Sequence, residues 1–371
     1  MKKLAFAFLG TVAVAGVTST SVNAAGSVDV YGKVNATFNN YDDDYSMTGA
    51  GSTNIQDTWK VESNASRLGF KGKYDLGERT MAVFKLEYEV DPTQDAAGDG
   101  GSDFKQRNTY AGISNKDWGT VIAGRHDTPM KSAQGKIDLF NDLPYGDIKY
   151  VLVGEERINN IVMYSTPEMG GFSANVMFAP GEGTGKNADD GIADHMSVSV
   201  GYEAEDFWVT LAQDSDVKNS DVTRVAAGVD IGDFGLGFLV QRAEGHDNTD
   251  MLNDKGLLGP NHAAMAVVNG GLGIGAADDF DESRGAMVSA SYKIGDVKLK
   301  AQYTKADYQP TTAGWSDTEA KMMSFGADYK LTKQAKLFAY VSQIDYDVTT
   351  GAATSVDYDY STAAVGWEFK F

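Results

Sequence analysis

Apolar residues recur with period two along most of this chain, and that period belongs to strands, whose side chains alternate between faces. Val28, Val30, Gly32, Val34, Ala36 and Phe38 share one face; Asp29, Tyr31, Lys33, Asn35, Thr37 and Asn39 share the other. Ala82, Phe84, Leu86, Tyr88 and Val90 alternate in the same way with Met81, Val83, Lys85, Glu87 and Glu89. Ala286 to Ile294 and Val297 to Thr304 repeat the pattern. Seven short, turn-like connections fall at Asp75–Glu78, Asn115–Gly119, Pro167–Gly171, Glu205–Asp206, Gly232–Asp233, Gly295–Asp296 and Thr332–Gln334. They alternate with eight longer ones, centred near residues 48, 98, 140, 187, 218, 265, 313 and 351, which makes sixteen strands.

Short connections at one end and long ones at the other describe an up-and-down sheet closed into a transmembrane barrel. Closure removes the exposed edge and, in lipid, satisfies every backbone polar group. A soluble sandwich fits poorly, because the strands are too many and their polar face too charged for one packed core. No fixed-length repeat supports a β-helix. The last strand carries Ala363, Val365, Trp367, Phe369 and Phe371 on one face, with Glu368 and Lys370 on the other. The first strand, Val28–Asn39, is expected to close the barrel against Asp359–Phe371.

Residues 1–24 have the form of a cleaved secretory signal. Lys2 and Lys3 lead, Leu4 to Val17 form a short apolar core, and Val22-Asn-Ala24 is a small-residue cleavage site. Removal leaves a barrel domain of residues 25–371 and takes the formal charge from −20 to −22. Such an acidic chain has no basic surplus for nucleic acid. The absence of cysteine excludes disulfides and thiolate chemistry.

Catalytic and cofactor signatures are weak. His126, His195, His246 and His262 show no metal-ligand spacing, and no G-x-S-x-G turn suggests a hydrolase. Gly181-Glu-Gly-Thr-Gly-Lys186 departs from a phosphate loop in its spacing and in the residue after lysine. Asp214, Asp216 and Asp221 read as loop residues without the glycine and glutamate of a calcium hand. Asp42, Asp43 and Asp44 read as a solvated rim. Neither enzyme activity, nor a cofactor, nor a metal site is expected.

The segment from Gly124 to Asn160 stands out, because its middle lacks alternation yet is rich in apolar residues: Phe140, Leu143, Tyr145, Tyr150, Val151 and Leu152. Long insertions of this kind are usually functional, and this one reads as a loop folded against something. Basic residues on nearby strands face it by phase. Lys33 lies opposite the Val30/Val34 face and Arg67 opposite Leu68 and Phe70. Arg107 shares a face with Thr109, opposite Tyr110, and Arg157 is out of phase with Val162 and Tyr164. Lys85 and Arg125 also fall on the inward phase. The loop at 245–282, with Leu257, Leu258, Val267 and Ile274, has no assigned role.

Four stretches, Val28-Asp-Val-Tyr-Gly-Lys33, Ser66-Arg-Leu-Gly-Phe-Lys-Gly72, Arg107-Asn-Thr-Tyr-Ala-Gly-Ile113 and Arg157 through Pro167, resemble the general porins of Gram-negative outer membranes. Gly124-Arg125 and the terminal Phe371 complete the likeness. The resemblance implies a sixteen-stranded antiparallel barrel, a homotrimer in outer-membrane lipid and lipopolysaccharide, and a third loop, about 127–156, folded inward. It also implies a ladder of wall bases at Lys33, Arg67, Arg107 and Arg157 facing loop carboxylates. Asp142-Leu-Pro144 is similar to the family's acidic-proline segment, but Tyr145 stands where a carboxylate is often found. Asp138, Asp142 and Asp147 therefore all remain candidates for the acidic partner. The expected function is passive diffusion of ions and small hydrophilic solutes with weak cation selectivity. A solute-specific channel and an adhesion or structural barrel are the alternatives.

Overall fold

In the computed structural model, which describes residues 26–47, 51–93, 104–181, 191–246, 280–310, 315–350 and 354–371, one antiparallel sheet closes on itself. Its segments are β1 (Gly26–Met47), β2 (Gly51–Ser63), β3 (Arg67–Gly77), β4 (Thr80–Val90), β5 (Phe104–Asn115) and β6 (Gly119–Asp127). Then come β7 (Arg157–Ser165), β8 (Phe172–Ala179), β9 (His195–Glu203), β10 (Phe207–Ser215), β11 (Ser220–Ile231) and β12 (Phe234–Gly245). The sheet ends with β13 (Phe280–Ile294), β14 (Val297–Pro310), β15 (Trp315–Lys330), β16 (Ala335–Thr350) and β17 (Thr354–Lys370).

Seventeen segments make sixteen barrel strands. β3 pairs with the first part of β1 (Gly26–Lys33) and β2 with the later part (Ala36–Met47), so β2 and β3 are halves of one strand. The break at 64–66 is bridged by side chains: the Asn35 N–H donates to Ser66 Oγ at 2.9 Å, and Ser66 Oγ donates back to the Asn35 carbonyl at 3.1 Å. Ala65, at φ 48°, takes the left-handed turn between the halves.

Closure runs between Lys33–Met47 of β1 and Val356–Lys370 of β17. The first strand closes against the last as expected, but the paired bounds are corrected. Val28 to Gly32 overhang and pair with β3, because strands in a closed barrel are tilted and staggered. One further pair of bonds ties the end of the chain in: Gly32 N–H to Phe371 O at 3.0 Å, and Phe371 N–H to Gly32 O at 3.1 Å. A side chain at residue 32 would begin 2.3 Å from the Phe371 ring, so only glycine lets that ring lie across β1.

The strands also run further than the alternation of long and short connections suggests. β1 reaches Met47 and β2 starts at Gly51; β10 and β11 are joined by only 216–219. Asp42, Asp43 and Asp44 therefore lie within β1 rather than in a rim loop, and Asp214 and Asp221 lie within β10 and β11. Runs of aspartate look like loop in a sequence, yet strand pairing runs through these. The expected leader at 1–24, the connection at 182–190 and most of 245–282 lie outside the described residues.

The two faces differ as a lipid-embedded barrel requires. Val30, Phe38, Trp59, Val200, Phe238, Val341 and Trp367 are exposed on the outer face. Aromatic contacts mark its margins: Phe38 with Trp59 at 4.8 Å, Phe234 with Tyr292 at 4.2 Å and Phe172 with Tyr202 at 4.7 Å between ring centroids. Helix is nearly absent from the described residues, the longest piece being one turn, α1 (Pro129–Ser132).

Deleting Phe371 removes both bonds to Gly32 and the ring above it. The fraction of chain that forms a heat-resistant barrel on electrophoresis should fall severalfold, while the barrels that do form keep the parent conductance. An unchanged folded fraction would contradict this closure.

Candidate pore constriction

Residues 128–156 leave the rim after β6 and return at β7. Their local structure is fixed by side-chain caps. Thr128 Oγ1 accepts from the Lys131 N–H at 3.0 Å and, with Pro129 in the first helical position, starts α1. Asp147 accepts from the Lys149 N–H at 2.9 Å and starts a short 3-10 turn at Ile148–Tyr150. Asp142 and Tyr145 adopt left-handed φ values of 66° and 56°, which fold the intervening Leu143 and Pro144 into a tight knuckle.

This segment is buried. Met130, Phe140, Ile148, Val151, Leu152 and Val153 are almost fully excluded from solvent. All but Phe140 cluster with Ala212, Val222, Leu239, Met287, Met322, Ile344, Tyr346 and Tyr360 of β10 to β17, residues out of phase with the exposed outer face; Phe140 packs with Phe338 and Tyr340. The loop thus lines the inner wall. Each large apolar side chain so removed from water contributes about 1.5–3 kcal/mol.

Polar contacts fix its position. Gln302 on β14 accepts from the Leu139 N–H at 2.8 Å and donates to Asp138 at 3.0 Å. Tyr308 and Tyr346 donate to the Val151 and Tyr150 carbonyls, each at 2.6 Å. Arg224 on β11 is completely buried, paired with Glu155 at 2.6 Å and bonded to the Val153 carbonyl at 2.9 Å. Removing one member of a buried pair like this typically costs 3–5 kcal/mol. Gly154, at φ 89°, leaves room for the guanidinium, since a Cβ there would lie 3.3 Å from Arg224 Nη2.

Of the three loop carboxylates, only Asp142 meets the basic wall. Its Oδ2 accepts from Lys33 Nζ at 2.9 Å and from Arg67 Nη2 at 2.7 Å. Burial alone would raise its pKa, but Lys33, Arg67 and Arg107 together hold it well below the ordinary carboxylate range. Asp138 is turned to the opposite wall, where Gln302 and the Phe140 and Ile148 amides surround it. Burial, with Asp147 close by, pushes its pKa up to about 8. Asp147 caps the 3-10 turn and accepts from the Asp142 N–H at 2.9 Å. Tyr145 is buried, and its hydroxyl donates to Asp43 on β1 at 2.8 Å. Its departure from an acidic residue is thereby explained as an anchor.

The wall bases are interleaved with carboxylates that the sequence did not single out. Arg107 pairs with Glu87 at 3.1 Å and Glu89 at 2.8 Å; Lys85 pairs with Glu87 at 3.1 Å; Arg157 pairs with Asp127 at 2.8 Å. Glu87 also accepts from Tyr31 at 2.8 Å. Glu87 and Glu89 sit on the same phase as Lys85, which was the available signal.

Two phase assignments are corrected. A bulge between Leu86 and Tyr88 sets Tyr110 opposite Lys85 and Thr109 opposite Leu86, so Tyr110, not Thr109, shares the charged face. Arg125 falls in register with Thr109. It bonds the Gln106 carbonyl at 3.2 Å and Asn159 at 2.5 Å, and does not join the Asp142 cluster.

Because the knuckle touches Lys33 and Arg67 directly, the open passage lies beside that contact. It is a cavity of about 520 Å³ bounded by Arg107, Arg157, Glu89 and Asp127 on the wall and Lys131, Gln134 and Asn141 on the loop. Six carboxylates and five cationic side chains line it. The net charge nearly cancels while the local fields do not.

Asp138 makes docking of the loop pH-dependent. Its carboxyl titrates near 3.9 when free and at about 8 when docked. Between those values only the docked loop holds the proton, so docking weakens as pH rises from about 4 through about 8. Amide hydrogen exchange over residues 138–152, relative to an Asp138→Asn variant at the same pH, should speed up severalfold from about pH 6 to about pH 9. A constant ratio would contradict the assignment.

A family model described as Gram-negative porin matches residues 10–349. The major outer membrane protein P.IB of Neisseria lactamica is 22% identical over 355 residues, covering 94% of this chain and 96% of that protein. The solved anion-selective porin from Comamonas acidovorans superposes with a TM-score of 0.65 at 21% identity, over 93% of this chain and 100% of that one. The trimer form of Vibrio cholerae OmpT gives 0.61 at 16% identity, over 92% and 99%. At such identities the solved structures speak to the fold. The family match spans most of the chain, which belongs to the Gram-negative porins of the outer membrane.

Proposed function

We propose that the barrel is a water-filled channel for passive diffusion of ions and small hydrophilic solutes, narrowed by residues 128–156 and weakly cation-selective. The observation that carries this reading is the polar cavity between loop and wall, lined by charged side chains from both. A solute there would be sieved by size and oriented by fields that the low-dielectric wall strengthens.

The ion preference rests on pairing. Lys33, Arg67, Lys85, Arg107 and Arg157 each have a carboxylate partner, so the wall presents little free positive charge. The Comamonas acidovorans porin is described as anion-selective; the slight carboxylate excess in the lining supports the opposite, weak preference here. The trimer form of the Vibrio cholerae protein supports a homotrimer, which we extend to this chain, set in lipid and lipopolysaccharide.

In a planar bilayer under a salt gradient, Asp142→Asn should move the reversal potential toward anions. Arg107→Gln combined with Arg157→Gln should move it toward cations. Asp138→Asn, whose carboxyl is turned to Gln302 on the opposite wall, should leave it in place. If neither of the first two variants shifts the potential, the constriction lies elsewhere.

A further inference from the structure

On the turn side of the docked loop the inner wall recedes. Gly201, Gly228, Gly235 and Gly237 present no side chain there, and serine and threonine hydroxyls line the hollow, which measures about 510 Å³. That size suits a small molecule. The largest side chain lining it is Trp208 of β10. Glycine at 135 and 228 lets the indole settle against backbone, since a Cβ at either would lie 2.5 Å from it. The Trp208 N–H donates to no residue among those described.

The charges around the hollow are unusual for this acidic protein. Lys136, Lys293 and Lys298 line it, and none has an ion-pair partner among the described residues. At the constriction, by contrast, Lys33, Arg67, Lys85, Arg107 and Arg157 are all paired with carboxylates. An adjoining cavity of about 440 Å³ shares Lys293 and Lys298 and adds four more lysines against three carboxylates. Free ammonium groups, hydroxyls and an aromatic face are the complement of one ligand type. The lysines would take an anionic group, the indole face a sugar ring's C–H surface, and Glu203 and Asp230 at the turn end would accept from sugar hydroxyls.

We propose that this recess is a binding site for sugar phosphates or similarly small, hydroxylated anions, placed along the diffusion path. The site rests on the channel reading and adds a solute class to it. It is compatible with a weak cation preference at the constriction, because at physiological salt a charge acts over only about 8 Å.

The test is current block in a planar bilayer with glucose-6-phosphate, glucose and inorganic phosphate added in turn. Glucose-6-phosphate should reduce ion current saturably, and more tightly than either of the others. Lys293→Gln with Lys298→Gln should raise the half-blocking concentration of both phosphates by about tenfold, the change expected for a lost charged hydrogen bond. Trp208→Leu should weaken block by glucose-6-phosphate and glucose but not by inorganic phosphate. A conducting pore with no saturable block, or block that neither variant alters, overturns the site while leaving the channel reading intact. A barrel that carries no current overturns both.

Discussion

The apolar contact between residues 128–156 and the inner wall of β10 to β17 is the constraint on which the rest of the interior depends. A water-filled barrel needs no apolar residues inside, yet Leu239, Met287, Met322, Ile344, Tyr346 and Tyr360 all point inward. They exist to be covered. The loop supplies Met130, Ile148, Val151, Leu152 and Val153 as the cover, and the passage beside Asp142 is left on the side of β3 to β7. Charged side chains gather along that passage, and one that lies under the loop, Arg224, is paired with Glu155.

Polar groups refine what the apolar contact holds. Gln302, Tyr308, Tyr346 and Arg224 satisfy loop amides and carbonyls that docking would otherwise strand without water. Asp142 works differently, because its partners Lys33 and Arg67 lie on the far wall. It ties the tip of the loop across the barrel and fixes one edge of the passage. Asp138 and Asp147 serve the loop's own shape.

Much of this was legible in the sequence. Period-two alternation revealed the barrel, its strand number and the inward phase of Lys33, Arg67, Lys85 and Arg157. The non-alternating apolar stretch revealed the loop. What escaped has physical causes. A bulge beside Leu86 changes phase without leaving a mark in composition, so Thr109 and Tyr110 exchanged faces. Asp43 looked like rim because nothing local shows that Tyr145, about a hundred residues away, donates to it. The choice among Asp138, Asp142 and Asp147 depends on the direction each carboxylate takes from a folded loop, and no strand period applies there. The apolar inner wall was hidden because alternation names two faces but does not say that a loop will cover one of them.

The absence of native cysteine allows a direct test of where the loop lies. Asn141 is exposed and lines the passage from the loop side. A single cysteine placed there, in a channel conducting in a planar bilayer, would be treated with a bulky methanethiosulfonate reagent. The account predicts a stepwise fall in single-channel current as each barrel is modified. Complete modification with no change in current would show that this segment does not border the path of the ions.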